Sequence, residues 1–96
     1  MDYIEFFKND RFATEAGITL SEVRPGYAKA KLKINEHHLN AGNVVQGGAL
    51  FTLADLTIAA AANANGRLAF SIQSDIRFLE SDRRNPDRRS PRNFVA

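Results

Sequence analysis

Hydrophobic and polar residues alternate along two neighbouring stretches of the chain, residues 18–23 and 27–34. In the second stretch one side of the alternation is apolar and the other mostly basic: Ala28, Ala30, Leu32 and Ile34 against Tyr27, Lys29, Lys31 and Lys33. Because side chains of a β-strand alternate between faces, this period predicts antiparallel strands with one solvated face. Pro25-Gly26 suits the centre of a type II turn between them. The row of lysines is then the solvent-exposed face of the strand or, alternatively, a basic rim for a phosphorylated ligand.

A long apolar stretch follows the hairpin and predicts a buried central helix. Residues 49–63 are rich in alanine and leucine, which favour helix, and they are apolar nearly all round. Asn63, Asn65 and Gly66 end this helix. Its one charge is Asp55, and an ionised carboxylate in an apolar setting is costly unless hydrogen bonds or a task compensate. Asp55 is therefore a functional candidate, with a backbone-bonded structural carboxylate as the alternative.

The flanking segments complete the predicted architecture. Residues 2–17 place aromatic residues among charges, which predicts a short amphipathic helix with an aromatic face on the core, ending near Gly17. Residues 68–79 return to period two and predict another strand. A hairpin, a buried helix and a further strand give an α+β fold, in which an antiparallel sheet wraps around a central helix.

Length and charge limit the possible functions. The 96 residues suffice for one small domain, which a partner subunit would stabilise, and the absence of cysteine excludes disulfides. Residues 1–80 carry 8 Lys and Arg against 9 Asp and Glu, whereas residues 81–96 carry 5 Arg against 2 Asp. The basic character lies in this tail, which we expect to be irregular. The acidic start and the short apolar stretch predict a cytoplasmic protein without a membrane span.

The run HHLNAGNVVQGGALFTLAD, residues 37–55, resembles the signature of hotdog-fold thioesterases of the PaaI-like, phenylacetate-degradation type. The similarity continues through EFFKNDRFA and AKAKLKI before the run and SIQSDIRFLE after it, and so covers about residues 2–80. The resemblance implies a hotdog domain over residues 1–80 that hydrolyses acyl-CoA, without a cofactor or a metal. Residues 81–96 form a separate basic tail where relatives continue into further strands, so the C-terminal strands of the fold are expected to be missing.

The resemblance also implies site residues. Gly47 would offer its backbone N–H to the thioester oxygen at the helix N-terminus, where free donors and the helix dipole favour negative charge. The acidic residue of the family falls on Asp55, the general base or nucleophile. Eight residues of helix span about 12 Å, so Gly47 and Asp55 of one chain are too far apart to contact the same carbonyl group. The resemblance resolves this with a site shared across a homodimer, or within a tetramer built from two dimers.

Supporting roles follow from the same resemblance. Asn40 would orient the attacking water or the acid. Gln46 stands where many relatives have His, and it can donate a hydrogen bond to the thioester oxygen or hold the loop, but it cannot transfer a proton. Gly48, His38 and Ser71 are expected to contact substrate. Adjacent His37 and His38 point to opposite faces if extended and lack further ligands, which argues against a metal site.

Two other functions stay open at this point. The first is a non-catalytic hotdog protein that binds acyl-CoA or only assembles, inactive because its sheet is shortened. The second is a basic-tailed RNA-binding chain, which is disfavoured because the tail has no aromatic residue before Phe94. The expected partners are thus acyl-CoA and a second copy of the chain, with no nucleic acid and no membrane.

Overall fold

The computed structural model describes residues 2–64 and 92–96 of the chain. Two short helices come first, followed by a hairpin, a long helix and a short final strand. In chain order the elements are α1 (Tyr3–Phe6), a 3-10 turn (Phe7–Asn9), α2 (Arg11–Glu15), β1 (Ile18–Arg24), β2 (Tyr27–Leu32), a second 3-10 turn (Glu36–His38), α3 (Gly47–Asn63) and β3 (Arg92–Val95). The predicted α+β architecture, an antiparallel sheet against a long central helix, is confirmed.

The hairpin forms as the alternation predicts. Strands β1 and β2 pair antiparallel from Ile18↔Leu32 to Arg24↔Tyr27, with a register shift between Leu20 and Glu22. The apolar side of β2 is buried and its lysines are exposed. At the turn Gly26 has φ +73°, the left-handed conformation that a type II turn needs at its third position. Ile34 is buried as well, although β2 ends two residues earlier.

Helix α3 lies across the sheet and packs mainly on β2. Its sheet-facing residues are buried with the inner faces of β1 and β2: the helix contributes Leu53, Leu56, Ala60 and Ala61 to this core. Its outer face is exposed at Asp55, Ile58 and Ala62. The predicted central helix is thus buried along the side that the sheet covers, and among the described residues its opposite side is exposed although its sequence is mostly apolar there.

The N-terminal segment differs from the predicted single helix. Asp10 is extended (φ −73°, ψ 92°) and its carboxylate accepts the Ala13 N–H, so it ends one helical segment and caps the next. This break turns the aromatic residues in different directions. Phe7 packs on the core, whereas Phe12 is 74% exposed. Gly17, with φ +92°, ends the segment where the sequence predicts.

The tail also differs from its prediction, since four of its residues form a strand. Strand β3 pairs antiparallel with β2, from Lys29↔Val95 to Leu32↔Arg92, and gives the strand order β1-β2-β3. Phe94 packs against the core. The expectation that the tail forms no strand is wrong for Arg92–Val95. These residues follow Pro91, so each of them has a backbone N–H that can pair, and they pair along the edge of β2 opposite β1.

Two predictions lie outside the described residues: the strand over residues 68–79 and the placement of Ser71. Within the ranges that the structure does describe, no helix is both long and apolar enough to cross a membrane. The division into residues 1–80 and 81–96 stays a prediction.

Candidate active site at the start of the central helix

A closed loop delivers the chain to the start of α3. Leu39 and Val45 form an antiparallel bridge, and the Gln46 N–H donates to the His38 carbonyl oxygen at 2.7 Å. Between them the loop turns through Asn43 at φ +62°, a conformation that asparagine tolerates better than most residues. The first residues of α3 therefore have a fixed position beside the second 3-10 turn.

Asn40 organises this loop. Its side-chain Oδ1 accepts the backbone N–H groups of Gly42 at 2.9 Å and Val44 at 3.2 Å. Its backbone N–H donates to the Val44 carbonyl oxygen at 2.8 Å. The carboxamide oxygen is thus committed to the loop, and the side-chain NH₂ is the part of Asn40 left to contact a water or a substrate.

Gln46 caps α3 with its own side chain. Its backbone is extended (φ −67°, ψ 132°), and Oε1 accepts the Gly48 N–H at 2.5 Å. Because Oε1 faces a donor, the Gln46 Nε2 group points away from that N–H with two hydrogens to give. The Gly47 N–H has no hydrogen-bond partner among residues 2–64 and 92–96. The helix start therefore presents an open backbone N–H and a carboxamide donor close together.

Gly48 needs its small size to keep this arrangement. A Cβ added there would lie 2.5 Å from Gln46 Oε1. No backbone atom is in the way, so a larger residue would displace the flexible Gln46 side chain from its cap. Gly48 thereby protects the orientation of Gln46 as well as allowing close approach of a ligand.

His38 is buried and both of its ring nitrogens have protein partners. Nδ1 accepts the Asn35 N–H at 2.9 Å, and Nε2 lies 2.5 Å from the Ala16 carbonyl oxygen. A nitrogen that accepts carries no proton, so the neutral ring has its proton on Nε2 and donates to Ala16. Only the carbon edge of the ring is left for a ligand, and substrate contact by His38 stays a prediction.

Asp55 lies on the exposed face of α3, away from the sheet. Gly48, Asp55 and Ala62 recur every seven residues, close to two helical turns, and all three are exposed. With half-exposed Ile58 they form what we call the outer face of α3. The premise that Asp55 sits in an apolar interior is therefore wrong for the described chain. Its carboxylate is accessible to a ligand or to a second molecule.

An open cleft of about 750 Å³ lies between the end of α2, the second 3-10 turn and the start of α3. Gln46, Gly48 and His38 line this cleft, and Asp55 does not. The structure thus brings three of the predicted site residues together around one cleft. Asn40 and Gly47 are not among the lining residues, and the predicted base is apart from them. The cleft is large enough for the acyl end of a small-molecule thioester.

Further cleft residues were missed from sequence, among them Phe12, Phe51 and Thr52. Thr52 and Phe51 stand three and four residues before Asp55, so helical spacing alone would have placed them near the outer face. The Thr52 hydroxyl donates to the Gly48 carbonyl oxygen at 2.7 Å. Phe12 offered no such signal, because its exposure follows from the break at Asp10.

In the part of the chain that the structure describes, no group of three or more His, Asp or Glu side chains could hold a metal ion. His38 is in addition unsuited to metal binding, because both ring nitrogens already have hydrogen-bond partners.

Comparison with known proteins agrees with this fold and this helix start. No family model matches the chain. It is 39% identical over 80 residues to a protein of Archaeoglobus fulgidus named "Putative esterase", covering 83% of this chain and 51% of that protein. It is 33% identical over 73 residues to the acyl-coenzyme A thioesterase PaaI of Escherichia coli K12, covering 76% of this chain and 52% of that protein. The chain spans about half the length of these curated relatives.

Solved structures give the same fold. The structure of the E. coli PaaI protein from the phenylacetic acid degradation operon superposes with a TM-score of 0.73 and 31% identity, covering 80% of this chain and 56% of that one. A conserved protein of Pseudomonas aeruginosa superposes with a TM-score of 0.75, covering 88% of this chain and 66% of that one. At 23% identity this similarity supports the fold alone. The chain has the hotdog fold. Within that fold it belongs with the PaaI-like thioesterases, to which the sequence of its helix start also points.

Proposed function

We propose that the chain is part of an acyl-CoA thioesterase, a hydrolase that releases a free acid and coenzyme A. The observation that carries the proposal is the start of α3, where the open Gly47 N–H and the Gln46 carboxamide stand beside a cleft. Similarity to proteins named as an esterase and an acyl-CoA thioesterase supports the same class of reaction. Coenzyme A is then part of the substrate.

The first part of the mechanism concerns the thioester oxygen. Attack on the thioester carbon moves negative charge onto this oxygen, and backbone donors at a helix N-terminus stabilise such charge. The Gly47 N–H would donate one hydrogen bond. The Gln46 Nε2 would donate a second, since its Oε1 is held by Gly48. Gln46 therefore supplies polarisation and no proton transfer.

The second part concerns the nucleophile. Asp55 would either attack the thioester carbon itself or remove a proton from an attacking water. The Asn40 side-chain NH₂ would hold that water or the carboxylate. Asp55 and Gly47 of one chain are about 12 Å apart along the helix, so we propose that Asp55 acts on the cleft of a partner subunit. Exposure of Asp55 on the outer face of α3 supports this arrangement.

The test is hydrolysis of a panel of aryl and aliphatic acyl-CoA thioesters by the purified chain and two variants. Release of the free thiol of coenzyme A measures the rate. Asp55→Asn keeps the shape and removes the base, and we expect a loss of roughly 10²–10⁴-fold in kcat. Glu22→Gln removes an exposed carboxylate from β1, whose ion pair with Arg24 is at the surface, and is the matched control. Equal turnover by Asp55→Asn and the control would exclude Asp55 from the reaction.

A non-catalytic acyl-CoA-binding protein is the second candidate. It shares the cleft and the open Gly47 N–H, but it needs no base on the outer face of α3. Saturable binding of acyl-CoA without thiol release from any member of the panel would establish this function in place of hydrolysis.

A further inference from the structure

We infer that His38 is a positioning residue, which sets the donors at the start of α3 by joining three separate segments of the chain. This inference rests on the proposed function for its catalytic consequence, and on hydrogen bonds of the described residues for its geometry. Among the described residues, the His38 ring makes its hydrogen bonds with Asn35 and Ala16 and none with Gly47 or Gln46. It acts on them through its own backbone and through the loop it holds.

Four hydrogen bonds meet at this residue, and one of them, from its backbone N–H to the Asn35 carbonyl oxygen at 3.0 Å, does not involve the side chain. The ring Nε2 donates to the carbonyl oxygen of Ala16, at the C-terminal end of α2 and 22 residues earlier in the chain. The ring Nδ1 accepts the N–H of Asn35, the residue that caps the second 3-10 turn. The backbone carbonyl oxygen of His38 accepts the Gln46 N–H at 2.7 Å.

These bonds fix different parts of the geometry. The two bonds with Asn35 close the 3-10 turn locally, and the Ala16 bond holds that turn against α2. The Gln46 bond then transmits the position of the turn to the residue before Gly47. Since His38 is only 7% exposed, water competes little for these partners. Loss of the Ala16 bond would free the turn, and with it Gln46, to shift relative to the cleft.

Side chains that copy one ring nitrogen at a time separate the two ring bonds. His38→Gln can place its Nε2 donor near the position of the ring Nε2, and so keeps the Ala16 bond. His38→Asn can place its Oδ1 acceptor near Nδ1, and so keeps the Asn35 bond and loses the long-range one. Glu36→Gln, at the exposed first residue of the same 3-10 turn, leaves both ring bonds in place, lies outside the cleft lining and is the matched control.

Displacement of catalytic donors by about 1 Å costs on the order of a hundredfold in rate. We therefore expect kcat for acyl-CoA to fall roughly ten- to a hundredfold in His38→Asn, with KM nearly unchanged, and to recover most of its value in His38→Gln. An equal kcat in His38→Asn and Glu36→Gln, per folded molecule, would overturn the inference.

Nuclear magnetic resonance tests the geometry without an activity. The amide signals of Gly47 and Gly48 should move or broaden in His38→Asn and stay in place in His38→Gln and Glu36→Gln. In the unsubstituted protein, long-range nitrogen correlations of the His38 ring should show the proton on Nε2. A proton on Nδ1, or unmoved glycine signals in His38→Asn, would refute the inference. Absence of thioester hydrolysis by the unsubstituted protein would refute the proposed function alone.

Discussion

Gln46 has an orientation that its sequence position could not give. Sequence predicts a residue that supports the loop or donates to the thioester oxygen, and it cannot choose between these roles. In the structure the Gln46 side chain supports the loop through Oε1, which accepts the Gly48 N–H. Its Nε2 is then left to donate to the thioester oxygen. The two roles are compatible because a carboxamide has an acceptor and a donor at opposite ends.

This orientation predicts how Gln46 tolerates substitution. Gln46→His can accept the Gly48 N–H with one ring nitrogen and donate with the other, so we expect kcat within about tenfold of the unsubstituted chain. Gln46→Glu keeps the acceptor and replaces the donor by a negative charge, and loss of one oxyanion donor costs roughly 10²–10³-fold in kcat. Steady-state kinetics on one acyl-CoA compares the two variants. An equally active Gln46→Glu would show that Gln46 only supports the loop.

His38 shows the limit of sequence reasoning at the scale of the residue. From sequence we expect His37 and His38 to point to opposite faces and His38 to contact substrate, and in the structure His37 is exposed. His38 is buried because Ala16 and Asn35 offer partners to both ring nitrogens. One of these partners is 22 residues away, and no local pattern connects the two positions.

Among the elements, the hairpin was the most predictable, because its period-two pattern and its Pro25-Gly26 turn agree with each other. The start of α3 was less so. Glycine is a poor helix former, which favours a start at Ala49, yet the Gln46 cap extends the helix to Gly47. Strand β3 forms because it pairs with the edge of β2 opposite β1. This tertiary pairing outweighs the irregular structure that the composition of the tail predicts.

The turn of the hairpin supplies a prediction for stability. An added Cβ at Gly26 meets nothing within 4 Å, so Gly26→Ala tests the left-handed backbone without a clash. We expect a loss of about 1 kcal/mol in the free energy of unfolding, since φ +73° disfavours residues with a Cβ. Urea denaturation measures this loss.

Gly26→Asn is the matched control, because asparagine enters the left-handed region more easily than alanine. It should therefore cost less. A stability of Gly26→Ala equal to that of the unsubstituted chain would mean that the turn changes its type.

At the scale of the whole molecule, the proposed site is divided by the length of α3. Gly47 lies at the start of the helix beside the cleft, and Asp55 lies two turns later on the outer face. Sequence spacing predicts this separation from helix geometry alone. It could not predict that Asp55 is exposed, because which side of a helix the sheet covers depends on packing.

Hybrid oligomers test whether two chains share the site. Gly47→Pro removes the N–H donor at the first position of α3, where helices accept proline, and the extended backbone of Gln46 suits the residue before it. Asp55→Asn and Gly47→Pro should each be inactive alone. After refolding together, half of the dimers are hybrids with one intact site, so we expect up to about a quarter of full activity.

The control is to mix the two variants after each has been refolded separately, before subunits exchange. Recovery should then be absent or slow. No recovery in the co-refolded sample, with dimers present by light scattering, would place the whole site within one chain.

The Gly26 N–H, in the exposed hairpin turn, donates to the Ala61 carbonyl oxygen near the end of α3, at 3.3 Å. The two residues are 35 positions apart, and the bond exists only while the helix lies on the sheet. An amide in a surface loop of this kind normally exchanges its hydrogen freely with water. Here its exchange lifetime measures the opening of the helix from the sheet, so a single glycine at the surface records the integrity of the core.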